Sequence, residues 1–252
     1  MTRIVLCYPL EPKHLAQIAA AAPDAEIVDA GQERVAKELL EADIFCGHAK
    51  VPVPWDEVVQ RGRLRWIQSS AAGMDHCLVP SVINSDITVT SASGVLANQT
   101  ADHSLALALG LLRSLPTFFR AQQAKEFIRR PTRDLYGATV SIVGLGGNGR
   151  RLAEVLSAFH TTILATDWFP INKPVHVAEL LPADKLDDIL PRVEILFLCA
   201  PLTEHTRHMI DARRLALMKP TAILINTARG PVVDEAALAS ALANKRLYGA
   251  GP

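Results

Sequence analysis

"ATVSIVGLGGNGRRLAEVLSAFHTTILATD", residues 138–167, is the stretch that decides the fold. An apolar β-like run, "TVSIV", enters a turn in which Gly144, Gly146 and Gly149 stand in G-x-G-x-x-G order. A helical pattern follows, and then a second apolar run that ends at Asp167. Glycine triplets are common, so the pattern alone decides little. Here it opens a helix directly after a strand, with an acid at the end of the next strand, and that context gives it meaning. Gly144 permits a tight turn, Gly146 lets backbone approach a pyrophosphate, and Gly149 lets helix and strand pack closely. The unpaired N–H groups of the first helical turn, around Gly147 and Asn148, face the phosphate charge. An ionised Asp167 accepts hydrogen bonds from ribose hydroxyls and repels a 2′-phosphate, which favours NAD over NADP. Arg150 and Arg151, just inside the helix, are expected to face solvent or the pyrophosphate.

Strand and helix patterns alternate on both sides of this unit. Downstream, "DKLDDILPRV" reads as a helix, "EILFLCAPL" as a buried strand, "DARRLALMK" as a helix stopped by Pro220, "AILINTA" as a strand and "DEAALASALANKR" as a helix. Upstream, "RIVLCY", "AEIVDA", "DIFCG", "LRWIQSS" and "ITVTS" read as strands, with helices at "EPKHLAQIAAAA", "QERVAKELLEA" and "PWDEVVQRG". Such alternation with short connections predicts parallel sheets covered on both faces, an α/β chain. Between the halves lies "LALALGLL" (105–112), apolar around its whole circumference. A helix of that kind is expected to be buried, in the core or against another chain, and to end at Pro116. The polar, basic "RAQQAKEFIRRPTRDLYG" that follows is expected at the surface.

The 252 residues suffice for one large domain or two modest ones. Apolar residues make up 49% and charged residues 21%, and Lys+Arg balance Asp+Glu at 26 each. The balance gives no bulk attraction to nucleic acid or to an anionic membrane. No apolar run approaches the roughly 18–20 residues of a membrane span. The N-terminus has too short an apolar core for a secretory leader. Cys7, Cys46, Cys77 and Cys199 are widely spaced, with no C-x-x-C pair, and read as reduced thiols in a cytoplasmic protein.

Five stretches in order give the chain a family resemblance: "SSAAGMDH" (69–76), "SGVLANQTADHSLAL" (93–107), "VGLGGNGRRLAEVL" (143–156), "CAPLTEHTRHMI" (199–210) and "LINTARGPVVDEAAL" (224–238). Together they resemble the D-isomer-specific 2-hydroxyacid dehydrogenases. The resemblance implies a flavodoxin-like substrate domain, residues 1–97, and a Rossmann-type, doubly wound nucleotide domain, residues 98–252. It implies NAD as cofactor, a small 2-hydroxy or 2-oxo acid as substrate, and a homodimer contacting through the helix near 100–115.

Standing alone, Arg229 reads equally as a solvated turn charge or as a cation aimed at a substrate. By resemblance it is the catalytic arginine, flanked by the cofactor-side residues Thr227 and Ala228. The chemistry asks for such a group, because a guanidinium can fork onto the carboxylate and carbonyl oxygens of a 2-oxo acid. The loop "AAGMD" matches a substrate-carboxylate loop in which Gly73 and Met74 offer backbone N–H groups; an ordinary strand-to-helix turn is the competing reading. Thr100 matches a position near the nicotinamide, against a helix-capping role. Pro201 and Thr206 match positions beside the adenosine and pyrophosphate. His205 and His208 could suggest a metal pair, but the matching loop has no metal role and no third ligand is apparent. His103 reads as structural or near the cofactor rather than as a proton carrier.

The family pattern continues with a glutamate and a Pro-His histidine that shuttles the proton, and neither follows here. Pro252 would fall inside a central strand, where it removes a ladder hydrogen bond. The expectation is therefore a truncated chain of doubtful activity, since acid–base catalysis supplies about 10²–10⁴-fold. A non-catalytic, NAD-binding corepressor-like role is the alternative.

Overall fold

The computed structural model describes residues 1–251, so the expectation about Pro252 lies outside the described residues. The chain divides into two compact units, Met1–Val95 and Leu96 onward.

The first unit alternates β1 (Arg3–Cys7), α1 (Pro12–Ala21), β2 (Glu26–Asp29), α2 (Gly31–Glu38), β3 (Ile44–Gly47), α3 (Trp55–Arg61), β4 (Trp66–Ser69), α4 (Pro80–Ile83) and β5 (Thr88–Ser91). All its strand pairs are parallel, in the order β2-β1-β3-β4-β5, which is the flavodoxin-like arrangement. Val5, Phe45 and Ile67, on the three inner strands, are fully buried and anchor its core with Val35, Leu39 and Val58 from the helices.

The second unit begins with α5 (Ala97–Leu112) and α6 (Leu115–Gln123). Its Rossmann-type sheet follows: β6 (Thr139–Val143), α7 (Gly147–Ser157), β7 (Thr162–Asp167), β8 (Glu179–Pro182), α8 (Leu186–Ile189), β9 (Ile195–Leu198), α9 (Ala212–Leu217), β10 (Ile223–Asn226), α10 (Glu235–Ala243) and β11 (Gly249–Gly251). The order is β11-β10-β9-β6-β7-β8, every pair parallel. The strand order reverses between β6 and β9, which opens a crevice at their carboxyl ends. Val140, Ile142, Ile195, Phe197, Ile223 and Ile225 are fully buried, so these strands form near-continuous apolar runs covered on both faces.

Two local expectations are corrected, at Pro116 and at "DKLDDILPRV". Pro116 does not end the long helix. That helix stops at Leu112, Ser114 takes a left-handed φ of 56°, and Pro116 sits in the first turn of α6, where its missing N–H costs nothing. The basic segment after it is helical as far as Gln123. The all-round apolar α5 is buried on one face only, through Ala101, Ser104, Ala108 and Leu112, while Leu105, Leu107, Leu109 and Leu111 stay half-buried. The single helix expected at "DKLDDILPRV" is a four-residue α-turn flanked by 3₁₀ turns. The edge strand β8 carried no clear signal, being short and closed by Pro182.

Gly251 marks a close approach in this packing. A Cβ there would lie 3.1 Å from both Leu107 of α5 and Ile225 of β10. The helix thus rests directly on the backbone of β11.

Candidate functional site

The glycine turn is built as its spacing requires. Gly144 takes φ +94°, and its N–H donates to the Thr166 carbonyl at 2.8 Å. A Cβ at Gly149 would lie 2.0 Å from the Gly144 carbonyl oxygen, so only glycine lets α7 sit against the turn. Gly146 is the exception: a Cβ there would meet nothing within 4 Å. Open space therefore adjoins Gly146, the glycine expected to let backbone approach a pyrophosphate. Gly146 also N-caps α7 without a side-chain cap, and half-buried Gly147 and Asn148 form the first helical turn. No side chain caps the first turn, so its N–H groups at the positive end of the helix dipole are available to an anion.

Asp167 closes the turn from the next strand. One carboxylate oxygen accepts the Leu145 N–H at 2.6 Å and the other accepts the Phe169 N–H at 2.8 Å. The carboxylate is fixed beside the glycines with lone pairs to spare. Arg150 is exposed, in keeping with the expectation that it faces solvent. It donates to the carbonyls of Asn172 at 2.9 Å and Ile171 at 3.4 Å, bracing the loop after Asp167. Arg151 pairs with Glu154 at 2.8 Å on its own helix.

Across the switch point, the loop after β9 is stapled by Thr206. Its hydroxyl donates to the Pro201 carbonyl at 2.6 Å and accepts the Thr203 N–H at 2.7 Å. His205, weighed above as a metal ligand, stacks on Trp168 instead, with ring centroids 5.1 Å apart and planes 21° from parallel.

Arg229 follows β10. Asn226 folds the chain there: its side-chain oxygen accepts the Ala228 N–H at 3.1 Å and its amide donates to the Arg229 carbonyl at 2.9 Å. The turn leaves Arg229 half-buried, with Nη1 donating to the Ala228 carbonyl at 2.8 Å. Arg229, Thr227, Ala228, Thr100 and His103 line one cleft of about 480 Å³. Residues more than a hundred positions apart in sequence thus meet. The junction is tied by a 2.9 Å contact between the hydroxyls of Ser104 and Thr227, and Ser104 is fully buried. Burial pushes the neighbouring Cys199 thiol up to about 12, with a hydrogen bond to Thr227 acting the other way.

Gly144, Gly146, Gly147, Asn148, Gly149, Asp167, Pro201, Thr206, Thr227, Ala228 and Arg229 therefore all lie at the carboxyl ends of strands in one parallel sheet. Gly73 and Met74 lie in the first unit, in the loop after β4, where the Met74 carbonyl accepts the Cys77 and Leu78 N–H groups. Ser104, Asn226 and Trp168 escaped the sequence reading. Only Asn226 left a signal, an Asx-type residue at the end of a strand.

Residues 105–252 match the family described as D-isomer specific 2-hydroxyacid dehydrogenase, NAD binding domain. The chain is 36% identical over 231 residues to a glyoxylate reductase of Pyrococcus furiosus, covering 87% of this chain and 68% of that enzyme. It is 29% identical to a D-3-phosphoglycerate dehydrogenase of Methanocaldococcus jannaschii, of which it spans 42%. Among solved structures, a D-lactate dehydrogenase of Aquifex aeolicus complexed with NAD and lactic acid superposes with a TM-score of 0.78 at 26% identity, covering 98% of this chain and 75% of that one.

Proposed function

Because the chain belongs to the D-isomer specific 2-hydroxyacid dehydrogenase family, we propose that it takes part in hydride transfer between NAD(H) and a small D-2-hydroxy acid or its 2-oxo acid. The observation that carries the reading is Arg229, held half-buried in the cleft it shares with Thr100 and Thr227, in the unit that contains the glycine turn. The dinucleotide, when bound, supplies the hydride. The α7 N-terminus and the open side of Gly146 hold its pyrophosphate, Asp167 its adenosine ribose, and Pro201 and Thr206 border it. Asp167 disfavours a 2′-phosphate through like charge. The Arg229 guanidinium grips the carboxylate and polarises the carbonyl of the 2-oxo acid, and this fixes the carbon that receives the hydride. We assign residues 1–97 as a substrate domain, with the backbone N–H groups of Gly73 and Met74 as its carboxylate-binding groups, and residues 98–252 as a nucleotide domain. We assign the homodimer contact to α5, whose leucines stay half-buried. A cytoplasmic location fits the four free cysteines, and no helix among the described residues is long and apolar enough to cross a membrane.

The test is NADH oxidation with glyoxylate, hydroxypyruvate and pyruvate, alongside calorimetric NAD binding. Arg229→Gln should lower kcat/KM by about 10²–10³ with NAD affinity kept, and Arg229→Lys should rescue only part, lacking the bidentate fork. Binding of NAD with no turnover of any 2-oxo acid would favour the binding-only role.

A further inference from the structure

Trp168 is the residue that the cofactor reading leaves unexplained. It follows Asp167 directly, yet its indole is 61% exposed. An indole offers a broad apolar face and a polar N–H, which suits it to a contact that is partly wet. The ring is not loose. Its stacking partner His205 comes from the loop after β9, whereas Trp168 comes from the loop after β7. Those two strands flank β6, so the pair spans the carboxyl-end crevice above the glycine turn. Both loops are braced from below. Arg150 holds the carbonyls of Ile171 and Asn172, and Thr206 staples the loop that carries His205. One face of the indole is backed by imidazole, and the residue stands next to the carboxylate assigned to the adenosine ribose.

We propose that Trp168, backed by His205, is the stacking platform for the adenine ring of the dinucleotide. The proposal rests on the assignment of the cofactor site above. Trp168 touches the ligand, and His205 acts as a positioning residue by holding the indole across the crevice. An aromatic platform suits adenine because stacking requires no hydrogen-bond match and gains from the broad apolar face of indole.

The experiment is calorimetric NAD binding to the full chain and to the W168A, W168F and H205A variants, with intrinsic tryptophan fluorescence read during titration with AMP and with nicotinamide mononucleotide. Trp168→Ala should weaken NAD binding about tenfold, within the range for one stacked base. Trp168→Phe should recover most of the affinity, and His205→Ala should cost less than Trp168→Ala. AMP should quench the wild-type emission, the mononucleotide should not, and the AMP quench should vanish in W168F. Circular dichroism and unchanged melting of each variant separate lost binding from lost folding. Wild-type binding of NAD with an unchanged affinity in W168A overturns the platform and leaves the site assignment standing. Failure of the wild type to bind NAD at all overturns both.

Discussion

The hydroxyl of Thr227 donates to that of Ser104 across 123 residues of sequence, at 2.9 Å. The direction follows from the other bond at Ser104, whose single proton goes to the Thr100 carbonyl at 2.8 Å. Thr100, Ser104 and Thr227 therefore form one chain of hydrogen bonds, and it ends two residues from Arg229. Ser104→Ala should cost about 1 kcal/mol, measured by urea unfolding, because it leaves a poorly hydrated threonine hydroxyl without that partner. The same variant should raise KM more than it lowers Tm suggests, since the Thr227–Arg229 turn loses its tie to α5. Unchanged KM and stability together would show that the contact holds nothing in place.

Gly146 and Gly149 separate binding from folding. Gly149→Ala places a methyl 2.0 Å from the Gly144 carbonyl and must move backbone, so about 1–3 kcal/mol of stability should be lost. Gly146→Ala meets no protein atom within 4 Å and should melt close to wild type. Its methyl stands in the space assigned to the pyrophosphate, so NAD affinity should fall at least tenfold. Paired melting and calorimetry check this, and a G146A variant that binds NAD normally would remove the phosphate from that position.

The thiols should differ sharply in reactivity. Burial pushes Cys199 up to about 12 and, helped by the charge of Asp75, pushes Cys77 up to about 11. At pH 8 such thiols are ionised to roughly one part in ten thousand for Cys199 and roughly one part in a thousand for Cys77, and the thiolate is the nucleophile. Burial raises the Cys46 thiol as well, but not to the values of Cys77 and Cys199, so iodoacetamide on the native protein should modify Cys46 before either of them. Peptide mass mapping reads the order, and urea should abolish it.

Asp187 gives a pH signature to the second unit. Its carboxylate oxygens accept from Arg213 at 2.6 Å and from Arg214 at 2.7 Å, and these bonds hold its pKa below the ordinary 3.8. A depressed carboxylate pKa stabilises the fold above the unfolded value and loses that contribution as pH falls through the folded value. Asp187→Asn should thus cost about 0.5 kcal/mol near neutrality, small because the pair is solvent-screened. The difference should shrink below pH 4. A gap between wild type and variant that persists to pH 2 would place the effect elsewhere.

How far the molecule could be read beforehand depends on how local each cause is. The glycine turn was legible because the left-handed φ of Gly144 and the 2.0 Å approach of a Gly149 Cβ to the Gly144 carbonyl are demands set within a few residues, whereas Gly146 answers no demand of the protein itself. The parallel sheets were legible because strands buried on both faces leave continuous apolar runs. Pro116 misled because a proline after a helix and a proline opening the next helix look alike in one dimension. β8 escaped because an edge strand needs neither length nor continuous apolarity, and tolerates Pro182 at its end. Motif resemblance located Arg229 but could not show that Ser104 ties its turn to α5, since that bond depends on packing between distant segments. The Trp168–His205 stack was silent for the same reason: nothing in one dimension pairs a residue after β7 with one after β9.

Helix α5 presses Leu107 onto Gly251 near one end and presents Thr100 to the Arg229 cleft near the other. At about 1.5 Å per residue, its 16 residues form a stiff beam of about 24 Å. A methyl group added to the outer strand would act as a shim beneath that beam. The cleft would then change its gauge without a single lining atom being altered.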